Sequence, residues 1–255
     1  MDDSPQLLPN RFAADAVGGG PLRAEEACFG RPGERVRFHG ERQDTSSAGW
    51  RRLLELIEEA AADGRETFRP LVDLTPSERA DLVTLPPTIA ALTRVKHLVL
   101  YGSPLTRIPP EIGAMASLEL FEPYTSSSLH WFPYEITRCP NLRDSTVSTR
   151  ALYGNFKLRP PFPRLQPKGA VAALDDLDPR VWGVESVHRC SVCDGPIDAA
   201  RFRQQWISLA VATDVLPLLV NACSTGCVQS LPTPPEGYVA TPHQGGRSVQ
   251  QPEPR

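Results

Sequence analysis

Leu85-Pro86-Pro87-Thr88-Ile89, Ile108-Pro109-Pro110-Glu111-Ile112 and Phe132-Pro133-Tyr134-Glu135-Ile136 are one phrase written three times. The closing isoleucines lie 23 and then 24 residues apart, and other apolar positions keep step with them. Leu92, Met115 and Cys139 form one column, Val95, Leu118 and Leu142 a second, and Leu82, Leu105, Leu129 and Leu152 a third. Between phrases there is room for a short strand, clearest at Lys96-His97-Leu98-Val99-Leu100-Tyr101. Chance yields one matched pair; it does not hold several columns over three units. A unit this small cannot bury its apolar face alone, so neighbours must stack into a continuous core.

These residues resemble the leucine-rich repeat, whose units run to about 20–29 residues around an L-x-x-L-x-L core. The variety is similar to bacterial and plant-type repeats with an L-P-x-x-I turn, and the likeness covers about Leu71 to Leu165. The asparagine usual after the strand is replaced by Ser103. The middle unit puts Phe121 and Pro123 at strand-leucine positions, and the third puts Ser145 and Val147 there. The resemblance implies a parallel sheet lining a concave face. With Leu98 and Leu100 inward, pleat alternation turns His97, Val99 and Tyr101 outward. Their equivalents are Leu120, Glu122 and Tyr124, then Asp144, Thr146 and Ser148. Two tyrosines, a histidine and two carboxylates on one open face suit protein recognition, because aromatic anchors dominate interface energetics. The plainer alternative is a row of ordinary solvated strand residues.

Upstream, Trp50, Leu53, Leu54, Ile57, Ala60 and Ala61 predict an amphipathic helix, capped by Ser46 or Ser47 and stopped at Asp63-Gly64. A β-type run is expected at Pro70–Leu74. Residues 1–46 carry no sustained period and are expected to be a disordered leader with Cys28 a spare thiol; residues 47–165 form the repeat domain. Residues 166–187 read as a linker after the bridge prolines Pro160, Pro161 and Pro163, and the proline-rich residues 236–255 as a disordered tail.

Residues 188–235 carry a different signal. Cys190-Ser191-Val192-Cys193 is followed after 29 residues by Cys223-Ser224-Thr225-Gly226-Cys227. Two thiolate pairs match a closed tetrahedral Zn²⁺ site, the structural rather than the catalytic kind. His188 is an alternative ligand, although a surface position suits it better. Strands are expected at Gln205–Thr213 and Leu216–Asn221, and a brief helix from Cys227 to Leu231. That order of elements resembles a treble-clef finger of the MYM or TRASH type. The whole chain is thus expected to be α/β: a short repeat solenoid with an amino-terminal capping helix, plus a zinc-bound hairpin-and-helix module.

The net charge of -3 and the few arginines around the cysteines argue against nucleic acid as the partner. The acidic amino terminus lacks an apolar signal core, and the longest apolar run, Val215–Val220, is too short to span a membrane. A cytoplasmic location is therefore expected, with cysteines reduced. Cys139 falls in an apolar column and reads as a small core residue, while His130 and Trp131 fall on turn positions. No P-loop, nucleophile elbow, dinucleotide fingerprint or zincin motif occurs in the sequence. The expected function is a non-enzymatic adaptor that holds a protein on the concave face and carries structural zinc. The alternative is a nucleic-acid-associated regulator working through the finger.

Overall fold

Helix α1 (Ala48–Asp63) starts where the Ser47 hydroxyl accepts the backbone N–H of Trp50. It ends at Gly64, whose φ of 67° is the left-handed conformation that glycine adopts without strain. Its buried stripe runs through Trp50, Leu53, Leu56, Ile57 and Ala60. Leu54 is only half-buried and Ala61 is exposed, because a 3.6-residue period carries the stripe through Leu56 instead. These elements belong to a computed structural model that describes residues 36–167 and 171–253.

Strand β1 (Thr67–Phe68) precedes the run expected to be extended. Pro70–Val72 is instead a 3₁₀ turn: Pro70 has no N–H to give a ladder, and Phe68 takes the inward strand position opposite Leu98. Helix α2 (Pro76–Ala80) begins with a reciprocal capping box between Thr75 and Glu78. Strands β2 (His97–Val99), β3 (Leu120–Glu122), β4 (Phe132–Pro133) and β5 (Asp144–Ser145) follow. The three proline phrases form 3₁₀ turns at Pro87–Ala91, Pro110–Ala114 and Tyr134–Arg138, each entered from an extended proline.

The sheet β1-β2-β3-β5 is parallel throughout, with Phe68, Leu98, Phe121 and Ser145 in one inward row. Gly102 and Thr125 are equivalent, both with left-handed φ, and Ser103 faces Ser126 across 2.7 Å. The extra residue of the longer step therefore falls between Ser126 and Leu129, outside the strand. The two serines tie the successive turns together. Ser126 Oγ accepts the Ser103 N–H at 3.1 Å and donates to the Leu100 carbonyl at 3.1 Å, all buried.

Strands β6 (Arg203–Val211) and β7 (Asp214–Ala222) form an antiparallel hairpin longer than expected at its outer ends. It is not a separate module. Strand β4 pairs parallel with β7, Phe132 opposite Leu218, and Ile207, Leu218 and Val220 share one core with Ile136 and Val147. The hairpin's turn also closes the exposed edge of β5: Thr213 donates to the Ser145 carbonyl at 2.8 Å, and Ser145 Oγ donates to Asp214 at 2.8 Å. An unpaired edge is a liability, and this one is covered.

Helix α3 (Pro179–Trp182) lies in the segment expected as linker, where Leu177 and Trp182 pack with Phe202. Residues 36–46, expected in the disordered leader, run across the molecule. Phe38 is buried against Trp131 and Trp206, and the side-chain Oε1 of Gln43 accepts the Val83 N–H at 2.8 Å. Residues 236–253, expected as a disordered tail, return along β6: Trp206 and His243 exchange both backbone hydrogen bonds. Gly245 has φ +66°, and a Cβ there would stand 2.1 Å from the Pro163 carbonyl oxygen, so only glycine fits. Trp131 is thus a core residue beneath the strap formed by residues 36–46. Among the described residues no helix is long and apolar enough to cross a membrane.

Candidate functional site

The two cysteine pairs reach one point from different elements. Cys190 and Cys193 stand on a knuckle that turns back through Asp194 at φ 59°, with the Cys190 N–H donating to the Gly195 carbonyl. Cys223 follows β7 directly, and Cys227 sits in helix α4 (Thr225–Gln229), whose cap, Ser224, accepts the Cys227 N–H at 3.1 Å. All four Sγ atoms lie within 4.8 Å of one another, so the cluster is positioned to hold a metal ion. Cys193 and Cys223 are 3.6 Å apart at sulfur, and Cys223 and Cys227 are 3.5 Å apart. Cys190 is fully buried, and its sulfur accepts the Cys223 N–H at 3.4 Å.

The environment divides the thiols. The Gly195 backbone N–H, together with the neighbouring thiols, brings Cys193 down to about 7. Cys223 is pushed up to about 12, chiefly by its hydrogen bond with Cys227. His188 is exposed and lies 3.3 Å from Ser186 Oγ, outside the sulfur cluster. Cys139 is buried and its thiol donates to the Ile112 carbonyl; burial raises it to about 11, which suits an inert core residue. Cys28 lies outside the described residues.

Two residues of the third turn hold the knuckle in place. Arg138 donates to the carbonyls of Cys190 at 3.2 Å and Ser191 at 2.8 Å, and pairs with Asp194 at 3.1 Å. Glu135, buried beside it, hydrogen-bonds Ser191, and burial holds its carboxyl above the usual range. Ser191 Oγ accepts the Asn221 N–H of β7 at 2.9 Å. Sequence reasoning missed Arg138, although a signal exists: the corresponding positions of the first two units are Ala91 and Ala114. A charged residue replacing alanine in a repeat column marks a place where something other than the next repeat is met. Arg138 and Arg189 both pair with Asp194, so neither is a spare cation for phosphate.

On the open sheet face, the outward row is composed as expected. His97 Nε2 lies 2.6 Å from Glu122 Oε2, across β2 and β3. The Tyr101 and Tyr124 rings are 6.0 Å apart at their centroids and remain 54% and 47% exposed. Val99 and Leu120 are half-buried, and Asp144 and Thr146 exposed. The face does not gather every member equally: Asp144 Oδ1 lies 3.3 Å from the Thr213 hydroxyl and belongs as much to the edge closure.

A scan against models of protein families matches none of them, and a search of curated proteins returned no match.

Proposed function

We propose that the chain is a short leucine-rich-repeat solenoid whose concave face binds a protein, with a structural Zn²⁺ holding its carboxyl side together. The observation that carries the reading is the tilted, half-exposed ring pair Tyr101 and Tyr124 beside the bonded pair His97 and Glu122. Paired aromatic rings left open on a rigid parallel sheet supply contact area at little cost in side-chain entropy, which is what an interface anchor needs. Val99, Asp144 and Thr146 would form the rim. The role is that of an adaptor without catalysis, in a reducing, cytoplasmic setting where thiolates stay free for metal.

Zinc is the favoured occupant on donor chemistry. Four sulfurs at about 2.3 Å from a tetrahedral ion lie about 3.8 Å apart, close to the two distances of 3.6 and 3.5 Å above. Four thiolates complete the shell, which leaves no position for substrate and makes the ion structural. Cys190, Cys193, Cys223 and Cys227 would all ligate it.

The test is affinity capture with the full chain, comparing wild type with Tyr101→Ala/Tyr124→Ala and with Leu158→Ser, an exposed apolar residue off the face. A protein held by wild type and the Leu158 variant, and lost by the tyrosine variant with an unchanged circular dichroism spectrum, supports the face. Equal capture by all three removes it. Elemental analysis of the purified chain should give one zinc per molecule, and none in Cys190→Ser/Cys223→Ser.

A further inference from the structure

On the side of the coil away from the open sheet face lies a cleft of about 610 Å³. One wall is the row of 3₁₀ turns, with Pro87, Ile108, Pro110 and Ala114; the other is the segment from Val184 to Arg189 leading into the metal knuckle. The volume is that of a small-molecule site, and apolar walls with a few polar groups are its usual lining. We propose that this cleft binds a small organic cation, a primary amine carried on an apolar body, seated between Glu111 and Glu135. This site is independent of the concave face and of whatever binds there.

The charge lining the cleft is unbalanced. Each arginine on the cleft is already engaged. Arg107 is buried in an ion pair with Glu185 and donates to the Glu41 carbonyl at 2.6 Å. Arg138 and Arg189 are tied to Asp194. That also satisfies Glu185 and Asp194, leaving Glu111 and Glu135 as the remaining acids. Neither has an ion-pair partner among the described residues. Glu135 is buried, and its Oε2 has no hydrogen-bond partner among the described residues. A buried acceptor left unmade is expensive, and a charged donor is its best complement. Glu111 and Glu135 line the same cleft from neighbouring turns, so one cation placed between them can meet both carboxyls. The aliphatic wall then takes the body of the ligand. An anion would meet two carboxyls and no free guanidinium.

The experiment uses the full, metal-loaded chain and three probes that share one cyclohexyl body: cyclohexylmethylamine, cyclohexylmethanol and cyclohexanecarboxylate. Titrations are followed by amide signals in NMR spectra. The amine should shift signals around Gly113 and Ser191 saturably at millimolar concentration, the alcohol should bind about tenfold more weakly, and the carboxylate should not bind. Glu111→Gln, at a half-exposed position, should weaken the amine by about tenfold, the loss of one charge-assisted contact. Ala114→Trp, which fills the cleft from an exposed position, should abolish binding while leaving the rest of the spectrum in place. Equal affinity for amine and alcohol, an unchanged affinity in Glu111→Gln, or no saturable shift by the amine each overturns the proposal.

Discussion

The stacked turns and the hairpin side of this molecule reach stability by different routes. In the turns, each apolar position is repeated by the next unit. Ile89, Ile112 and Ile136 are all fully buried, as are Leu98 and Phe121 in the adjoining strand row. Neighbours support neighbours, so the loss of one contact is shared. The hairpin side has no such redundancy. It depends on single events: four sulfurs at one point, the Arg138 latch, and an aromatic cluster of Phe38, Trp131, Tyr153, Phe162 and Trp206 drawn from five separate stretches of chain. The comparison teaches that the second region's order is conditional, while the first is distributed.

Metal removal should produce the largest effect and is the sharpest way to break that contrast. Structural Zn²⁺ contributes on the order of 10 kcal/mol in small domains, and a preformed site does not survive unfolding. Because β4 pairs with β7 and both regions share one core, chelation, or Cys190→Ser, should lower the melting of the whole chain. Far-UV dichroism and tryptophan fluorescence should then move together. Two separated transitions, with α1 melting at its original temperature, would show that the regions are independent after all.

Next in size comes a matched pair of truncations. Trp206→Ala removes a fully buried ring and the Nε1–H bond to the Pro163 carbonyl at 2.9 Å. Ile112→Ala removes a fully buried side chain in the middle turn. Each should cost several kcal/mol, about 3–5 for the tryptophan and about 2–5 for the isoleucine. The distinction lies in where the damage appears. Trp206→Ala should free residues 36–46 and 236–253 for proteolysis at temperatures where the turns stay protected from hydrogen exchange. Ile112→Ala should raise exchange along β2 and β3 without releasing either segment. Reversed patterns would overturn the division drawn here.

The same contrast explains what was legible in the sequence. The turns were readable because a period of 23 residues repeats the same burial problem, and repetition reveals itself without coordinates. The helix caps at Ser47 and Gly64, the outward row His97, Val99 and Tyr101, and the cysteine pairs were readable for the same kind of reason: local chemistry decides them. The strap and the tail were not. Phe38 is a single aromatic residue in a polar stretch, and His243-Gln244-Gly245 looks like any loop. Their order comes from long-range partners, Trp131, Trp206 and Pro163, that no local pattern points to. The docking of the hairpin was hidden similarly. Phe132-Pro133 serves as the entry to a turn and as a strand beside β7, and only the first role has a signature. Pro70 illustrates the opposite error, since apolar neighbours suggested a strand that its missing N–H forbids.

The smallest of the effects concerns acid. His243 is buried, its Nδ1 accepts the Gly245 N–H at 3.1 Å, and its ring meets Phe162 edge-on at 4.7 Å. Burial lowers its titration from 6.5 to about 4, and His130, beneath the strap, is lowered to about 4 by the same cause. Both favour the neutral form in the fold, whereas the unfolded chain takes up protons near pH 6.5. Stability is therefore complete above about pH 6.5, declines as pH falls, and stops declining near pH 4, below which both states are protonated. For one such histidine the loss between pH 8 and pH 5 is about 2 kcal/mol. His243→Asn leaves an acceptor near the Gly245 N–H but cannot titrate. It should lower stability by a roughly constant amount at every pH, through the lost ring packing, while flattening the slope between pH 6.5 and pH 5 by about half, His130 supplying the rest. Urea midpoints across that range measure both quantities. A slope identical to wild type would mean that the returning tail is already released before its histidine is protonated, and that the single-point attachment of this region is weaker than its buried contacts imply.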